Sequence, residues 1–179
     1  MSTIEVENLA LIFGRRSIRR YSPEDVSDQL VQKVLEAAMA APSAMAKDPW
    51  RFVVIRAQAT LSRLAEVLPG GQMLASARLG IAVGGDKGVA LDGHLSFLLQ
   101  DCAACIENLL LGAHVVGLGA CWVGVHPNEK AMSKEKELLL LPTPIVPVAV
   151  IALGHPAEHP GPRTRFNREY VHFEQWPAS

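Results

Sequence analysis

The sequence predicts a single α+β domain, a mixed sheet with helices packed against it, and three observations predict it. Four short runs rich in β-branched and aromatic residues are spread along the chain: Trp50–Arg56, Leu79–Val83, Ala120–Val125 and Pro147–Gly154. Between them lie segments with helical apolar spacing, the longest from His94 to Val116, and no stretch repeats another. The length of 179 residues at 49% hydrophobic content suits one substantial core and leaves little room for two.

Taken in order, Leu9, Leu11, Ile12 and Phe13 suggest a short helix over Val6–Phe13, stopped by Gly14 where a left-handed cap would suit. Arg15 to Arg20 then reads as a loop. Tyr21-Ser22-Pro23 breaks any helix, and Ser27 can cap a new one with the apolar face Leu30, Val31, Val34, Leu35, Ala38 and Met39. In the following Ala41–Trp50 connection, Pro42 and Pro49 forbid regular hydrogen bonding, as expected of a ligand loop. A strand from Trp50, a helix over Ala59–Leu68, a short helical piece over Gln72–Ala77 and a buried strand from Leu79 come next. Gly84-Gly85-Asp86-Lys87-Gly88 lacks the ending of a phosphate loop and reads as a surface turn. Small residues around the circumference of the His94–Val116 helix predict a central helix buried on most faces, with a second copy of itself as one packing partner. Gly117-Leu118-Gly119 closes it. A charged helix over Asn128–Leu141 follows the third strand, and Lys130, Lys134 and Lys136 with Glu129, Glu135 and Glu137 read as its solvated face. The tail from His155, rich in proline and arginine, cannot form a core and is expected to wrap another surface.

A formal net charge of −1 and a pI near 6.6 give no reason to expect nucleic acid. No uninterrupted apolar run reaches eighteen residues, and Met1-Ser-Thr-Ile-Glu-Val-Glu lacks an export layout, so a cytoplasmic protein without a membrane span is expected. Cys102, Cys105 and Cys121 are expected as reduced thiols, the first two packing as small apolar groups in mid-helix, and the six histidines show no metal-ligand spacing.

Against that near-neutral background, Arg15-Arg16-Ser17-Ile18-Arg19-Arg20 concentrates four guanidinium groups and a hydroxyl in six residues. Guanidinium stays protonated and offers forked donors that match phosphate oxygens. Arg163-Thr164-Arg165 supplies a second forked pair near the other end, and the Pro42–Trp50 loop can present backbone and small side chains to a flat ring. A phosphorylated planar ligand answers to all three.

Arg15–Tyr21, Ala41-Pro42-Ser43-Ala44 with Pro49-Trp50, Gly117–Gly124, Ala152–Pro156 and Arg163-x-Arg165 occur in the order in which they stand in the flavin-dependent nitroreductase family, which the chain resembles from about residue 10 to Trp176. The resemblance implies a mainly antiparallel sheet, a long central helix at a dimer interface, and a homodimer with residues 155–179 wrapping the partner. It further implies FMN in two interfacial clefts, with Arg15, Ser17, Arg163 and Arg165 on the phosphate and Arg16 beside them. Arg19 would approach the pyrimidine edge, and Pro42, Ser43 and Ala44 would come from the partner. Trp122, Val123 and Gly124 would lie along the ring, and Gln72 would offer a polar side chain. Reducing equivalents would pass from NADH or NADPH through FMN to a small nitroaromatic, quinone or other conjugated acceptor, with no side chain as nucleophile or base. Hence no catalytic residue is assigned.

Many relatives carry Asn and Gln where this chain has Ala46 and Asp48, a change that bears on substrate preference. It also motivates an alternative from another class, an FMN carrier or sensor with little turnover.

Overall fold

In a computed structural model of the chain, residues 3–176 are described, with side chains from residue 9 onward. The element order is α1 (Thr3–Gly14), α2 (Asp28–Met39), β1 (Trp50–Ile55), α3 (Gln58–Val67), β2 (Leu79–Asp86), α4 (Leu95–Val115), β3 (Gly119–Gly124), α5 (Glu129–Leu139) and β4 (Ile145–Gly154). Among the described residues there are also four short 3-10 turns, one of them at Gln72–Ala75. The strands form one antiparallel sheet in the order β1-β2-β4-β3.

Alternation along the strands divides the core in two. Ile81 and Val83 of β2, with Ala149, Ile151 and Leu153 of β4, face α2 and α4. Ala82, Val150 and Ala152 face α3 and α5, where Leu61, Leu64 and Ala131 are buried. Helix α2 begins as its sequence predicts, the Ser27 hydroxyl accepting the Leu30 N–H at 3.3 Å. Asn128 caps α5 in the same way, accepting from Ala131 N at 3.0 Å. Pro147 sits in β4, a central strand, where a proline removes a ladder donor. The β2–β4 register shifts between Val83 and Gly84, and this irregularity accommodates it and lets the strand begin at Ile145 rather than Pro147.

Three expectations are corrected. Gly14 is the last residue of α1, not a left-handed cap; a Cβ there would lie 3.0 Å from His114 Nε2, so the glycine permits close approach to α4. The side chains of residues 6–8, at the start of the expected first helix, lie outside the described residues. Gly84, Gly85 and Asp86 belong to β2, and only Lys87 and Gly88 turn. A Cβ on Gly85 would meet Leu98 Cδ2 at 2.3 Å, so the glycine lets α4 press on the sheet. In α4 the buried residues are Leu98, Asp101, Cys102, Cys105, Ile106, Leu109, Leu110 and Ala113. Leu95, Phe97, Glu107 and Val115 are exposed in the single chain, on the side of this central helix where the sequence expects a second copy. On α5, Glu135 is fully buried rather than solvated.

By length and composition α4 is apolar enough to cross a membrane, yet it is the central packing element here, lying against α2 and the sheet. The three cysteines are free and buried. Burial pushes the Cys102 and Cys105 thiols up to about 12, as expected of packing groups rather than reactive ones.

Candidate functional site

The segment from Arg15 to Tyr21 runs beside the edge strand β3. Ser17 bridges Ala120 in parallel fashion, and Ile18 N donates to Ala120 O at 2.9 Å. Ile18, buried, fills the space left by Gly119, where a Cβ would meet it at 2.7 Å. With Ile18 turned inward, Arg16, Ser17 and Arg19 are left at the surface. Tyr21 fixes the end of the run: its ring covers Gly154, and its hydroxyl lies 2.6 Å from Ile18 O and 3.2 Å from Ala152 O. Burial holds that phenol protonated, its pKa raised.

The start of the tail is zipped antiparallel to this segment. Ser22 N donates to His155 O, Ala157 N to Arg20 O, and Tyr21 bridges Pro156. Glu158 Oε1 accepts from Arg19 N at 2.6 Å and Arg20 N at 3.2 Å, and Arg16 Nη1 donates to Gly161 O. Arg163 N then donates to Phe13 O at 3.1 Å. These contacts bring the two ends of the chain together. A cavity of about 680 Å³ results, lined by Arg15, Arg16, Ser17, Arg19, Arg163, Thr164 and Arg165, with Ile12, Phe13 and Phe166 as its apolar wall.

Five arginines, a serine and a threonine line that space, and no acidic residue is among its lining residues. Such a set repels itself and is relieved by an anion with several oxygens. Arg15 Nε reaches Glu107 Oε1 of α4 at 3.2 Å, an ion pair partly open to water and worth no more than about 1 kcal/mol. It leaves Arg15 free to exchange partners.

The remaining predicted residues lie apart from this cavity. Trp122 and Gly124 are exposed on β3, whereas the Val123 side chain is buried in the core under α3 and α5, so that only its backbone can face a ligand. Nothing lies within 4 Å of a Cβ built on Gly124. Gln72 is exposed on the short turn after α3, and Pro42, Ser43 and Ala44 stand in the loop after α2. In that loop Met45, Ala46 and Asp48 adopt left-handed φ of 50°, 52° and 49°, a conformation non-glycine residues hold only when contacts impose it. The contacts are visible. Ser43 Oγ donates to Asp48 Oδ1 at 2.6 Å and accepts from Asp48 N at 3.0 Å.

Sequence reasoning passed over Asp101. Buried in α4, it accepts the Ala44 N–H through Oδ1 at 2.9 Å and ties the strained loop to the central helix, while its Oδ2 is buried without a partner. The available signal was a carboxylate one turn after Leu98, inside an apolar helical stripe. Among the described residues there is no cluster of His, Cys, Asp and Glu that could hold a metal.

The nitroreductase family model matches residues 12–82 and 72–155. A protein of Methanothermobacter thermautotrophicus, provisionally named an NADH dehydrogenase/NAD(P)H nitroreductase, is 40% identical over 172 residues, covering 96% of this chain and 89% of its own. A crystal structure of a similarly named protein from Parabacteroides distasonis superposes with a TM-score of 0.89 at 34% identity, covering 95% of this chain and 99% of the other. A provisionally named nitroreductase of Desulfovibrio desulfuricans, solved in complex with FMN, gives 0.80 at 34% identity, with 94% and 97% covered.

Proposed function

The chain belongs to the nitroreductase family, and we propose that it is an FMN-dependent oxidoreductase acting as a homodimer. NAD(P)H is the reductant, and the acceptor is a small nitroaromatic, quinone or other conjugated molecule. The observation that carries this reading is the cavity in which Arg15, Arg16, Ser17 and Arg19 meet Arg163 and Arg165. The donor set fits an FMN phosphate: forked cations, a hydroxyl and no opposing carboxylate.

In this proposal Arg15, Ser17, Arg163 and Arg165 hold the phosphate, with Arg16 fastened beside them through Gly161 O. Glu158, by accepting from the Arg19 N–H, fixes the backbone from which the Arg19 side chain reaches the pyrimidine edge, where a cation stabilises the negative charge of the reduced ring. The exposed Trp122 and Gly124 and the backbone of Val123 flank the ring on the open edge of β3. Pro42, Ser43 and Ala44 complete the cleft from the partner subunit, held in shape by Asp101, and Gln72 adds a polar contact. Bound FMN supplies the electron relay between NAD(P)H and acceptor, which use the same cleft in turn in a ping-pong cycle. The protein supplies placement and charge, and no side chain serves as nucleophile or base. Free, buried thiols accord with a cytoplasmic setting.

A second reading, an FMN carrier or sensor, rests on the Ser43–Asp48 pair, which occupies the hydroxyl of the loop with an internal bond. Anaerobic titration separates the two. The reductase reading expects a yellow protein bleached stoichiometrically by NADH or NADPH and recoloured by a nitroarene or quinone. A yellow protein that neither nicotinamide bleaches favours the carrier, and one that takes up no FMN sinks both.

A further inference from the structure

Glu135 of α5 has no partner. Its side chain is 0% exposed, and both carboxyl oxygens are buried without a hydrogen bond. Burial alone pushes its acid up to about 8. It borders a cavity of about 350 Å³ that shares no lining residue with the arginine cavity. The other walls are mostly apolar, among them Val53, Ala82, Leu141, Pro144 and Ile145. Gly84 and Ile145 close one side of it in tight contact, since a Cβ on Gly84 would meet Ile145 Cγ2 at 2.6 Å.

Two further charged residues line the cavity, Arg51 of β1 and Asp86 of β2, and they are engaged with each other at 3.4 Å. Arg51 Nη1 is committed as well, donating to Trp50 O at 2.8 Å and Asp48 O at 3.2 Å. That pair is neutral as a unit and leaves Glu135 without a counter-charge. A leucine at this position would cost nothing in desolvation, whereas an unpaired buried carboxyl costs free energy, so the group stands as one half of an interaction. We propose that this cavity binds a small organic cation, a primary ammonium on a compact apolar body, with the carboxylate of Glu135 as its partner. The apolar walls take the body and Glu135 takes the head. Charge balances by exchange: as the ammonium enters, Glu135 releases its proton to solvent and an ion pair replaces the neutral acid.

Benzylammonium is a suitable probe, with benzamide and benzoate as the neutral and anionic counterparts. Calorimetry on the FMN-saturated protein at pH 7, in phosphate and in MOPS, should show saturable binding of benzylammonium with close to one proton released per ligand. Neither counterpart should bind comparably, and E135Q should weaken binding roughly tenfold or more. V53F, which fills the cavity and leaves the carboxyl in place, should abolish it, and this variant serves if E135Q folds poorly. The site is read without turnover, so the outcome is independent of the reductase reading. Absence of benzylammonium binding, equal binding of benzamide without proton release, or undiminished binding in both variants would overturn it.

Discussion

Arg15 and Arg165 come from opposite ends of the chain to line one cavity. Replacing either by alanine should weaken FMN binding by about 1–3 kcal/mol, the range for a charged hydrogen bond, as measured by flavin fluorescence titration; wild-type affinity in both would remove them from the site. Glu135 predicts a pH effect of definite sign. Its folded value, about 8, lies above the ordinary carboxyl value, so the folded state binds the extra proton between them and loses stability as pH rises through that window. Denaturant melts of wild type should decline from about pH 5 to pH 8 relative to E135Q, by at most a few kcal/mol at about 1.4 kcal/mol per unit. Parallel pH profiles would contradict this. The arginines were legible because charge clustered against a neutral background is a local signal. Glu135 was not, since a carboxylate among lysines on a charged helix reads as solvated, and only the packing of α5 on the sheet buries it.

Helices α2 and α5 and the four strands were readable from periodicity and capping residues, because those signals are local. The end of β2 was not: Gly84-Gly85 followed by Asp86-Lys87-Gly88 has the composition of a turn, and what makes it strand is long-range pairing with β1 and β4, with Leu98 of α4 packed on Gly85. Gly85→Ala should therefore destabilise the fold by about 1–3 kcal/mol, the usual cost of overpacking, in chemical denaturation. An unchanged midpoint would mean that Leu98 yields freely. The loop after α2 was legible as irregular from its prolines, but its anchor on Asp101 was not, because the pairing is long-range. Asp101→Ala should free the Ala44 N–H, relax the left-handed residues Met45, Ala46 and Asp48, and lower FMN affinity along with stability. FMN affinity equal to wild type would detach this anchor from the site.

At the scale of the whole molecule, the sheet and its two layers of helices leave conspicuous apolar surface. Leu11, Ile12 and Phe13 on α1, Phe97 and Val115 on α4, and Phe166, Tyr170, Phe173 and Trp176 on the tail are exposed, Trp176 to 80%. Surface of this extent marks an interface, which in the proposed assembly is a second copy of the chain, with the tail laid across it. Deleting residues 166–179 keeps Arg163 and Arg165 but should weaken the dimer in sedimentation; an unaltered dimer would take the tail out of the interface. In the proposed site the convergent arginines recognise the phosphate. The direct measurement is equilibrium titration of apoprotein with FMN and with riboflavin, which lacks only the phosphate, in wild type and in the double variant R15A/R165A. Wild type should bind FMN far more tightly than riboflavin, and the double variant should narrow the gap; equal affinities in wild type, or a gap untouched by the substitutions, would refute phosphate recognition by these arginines.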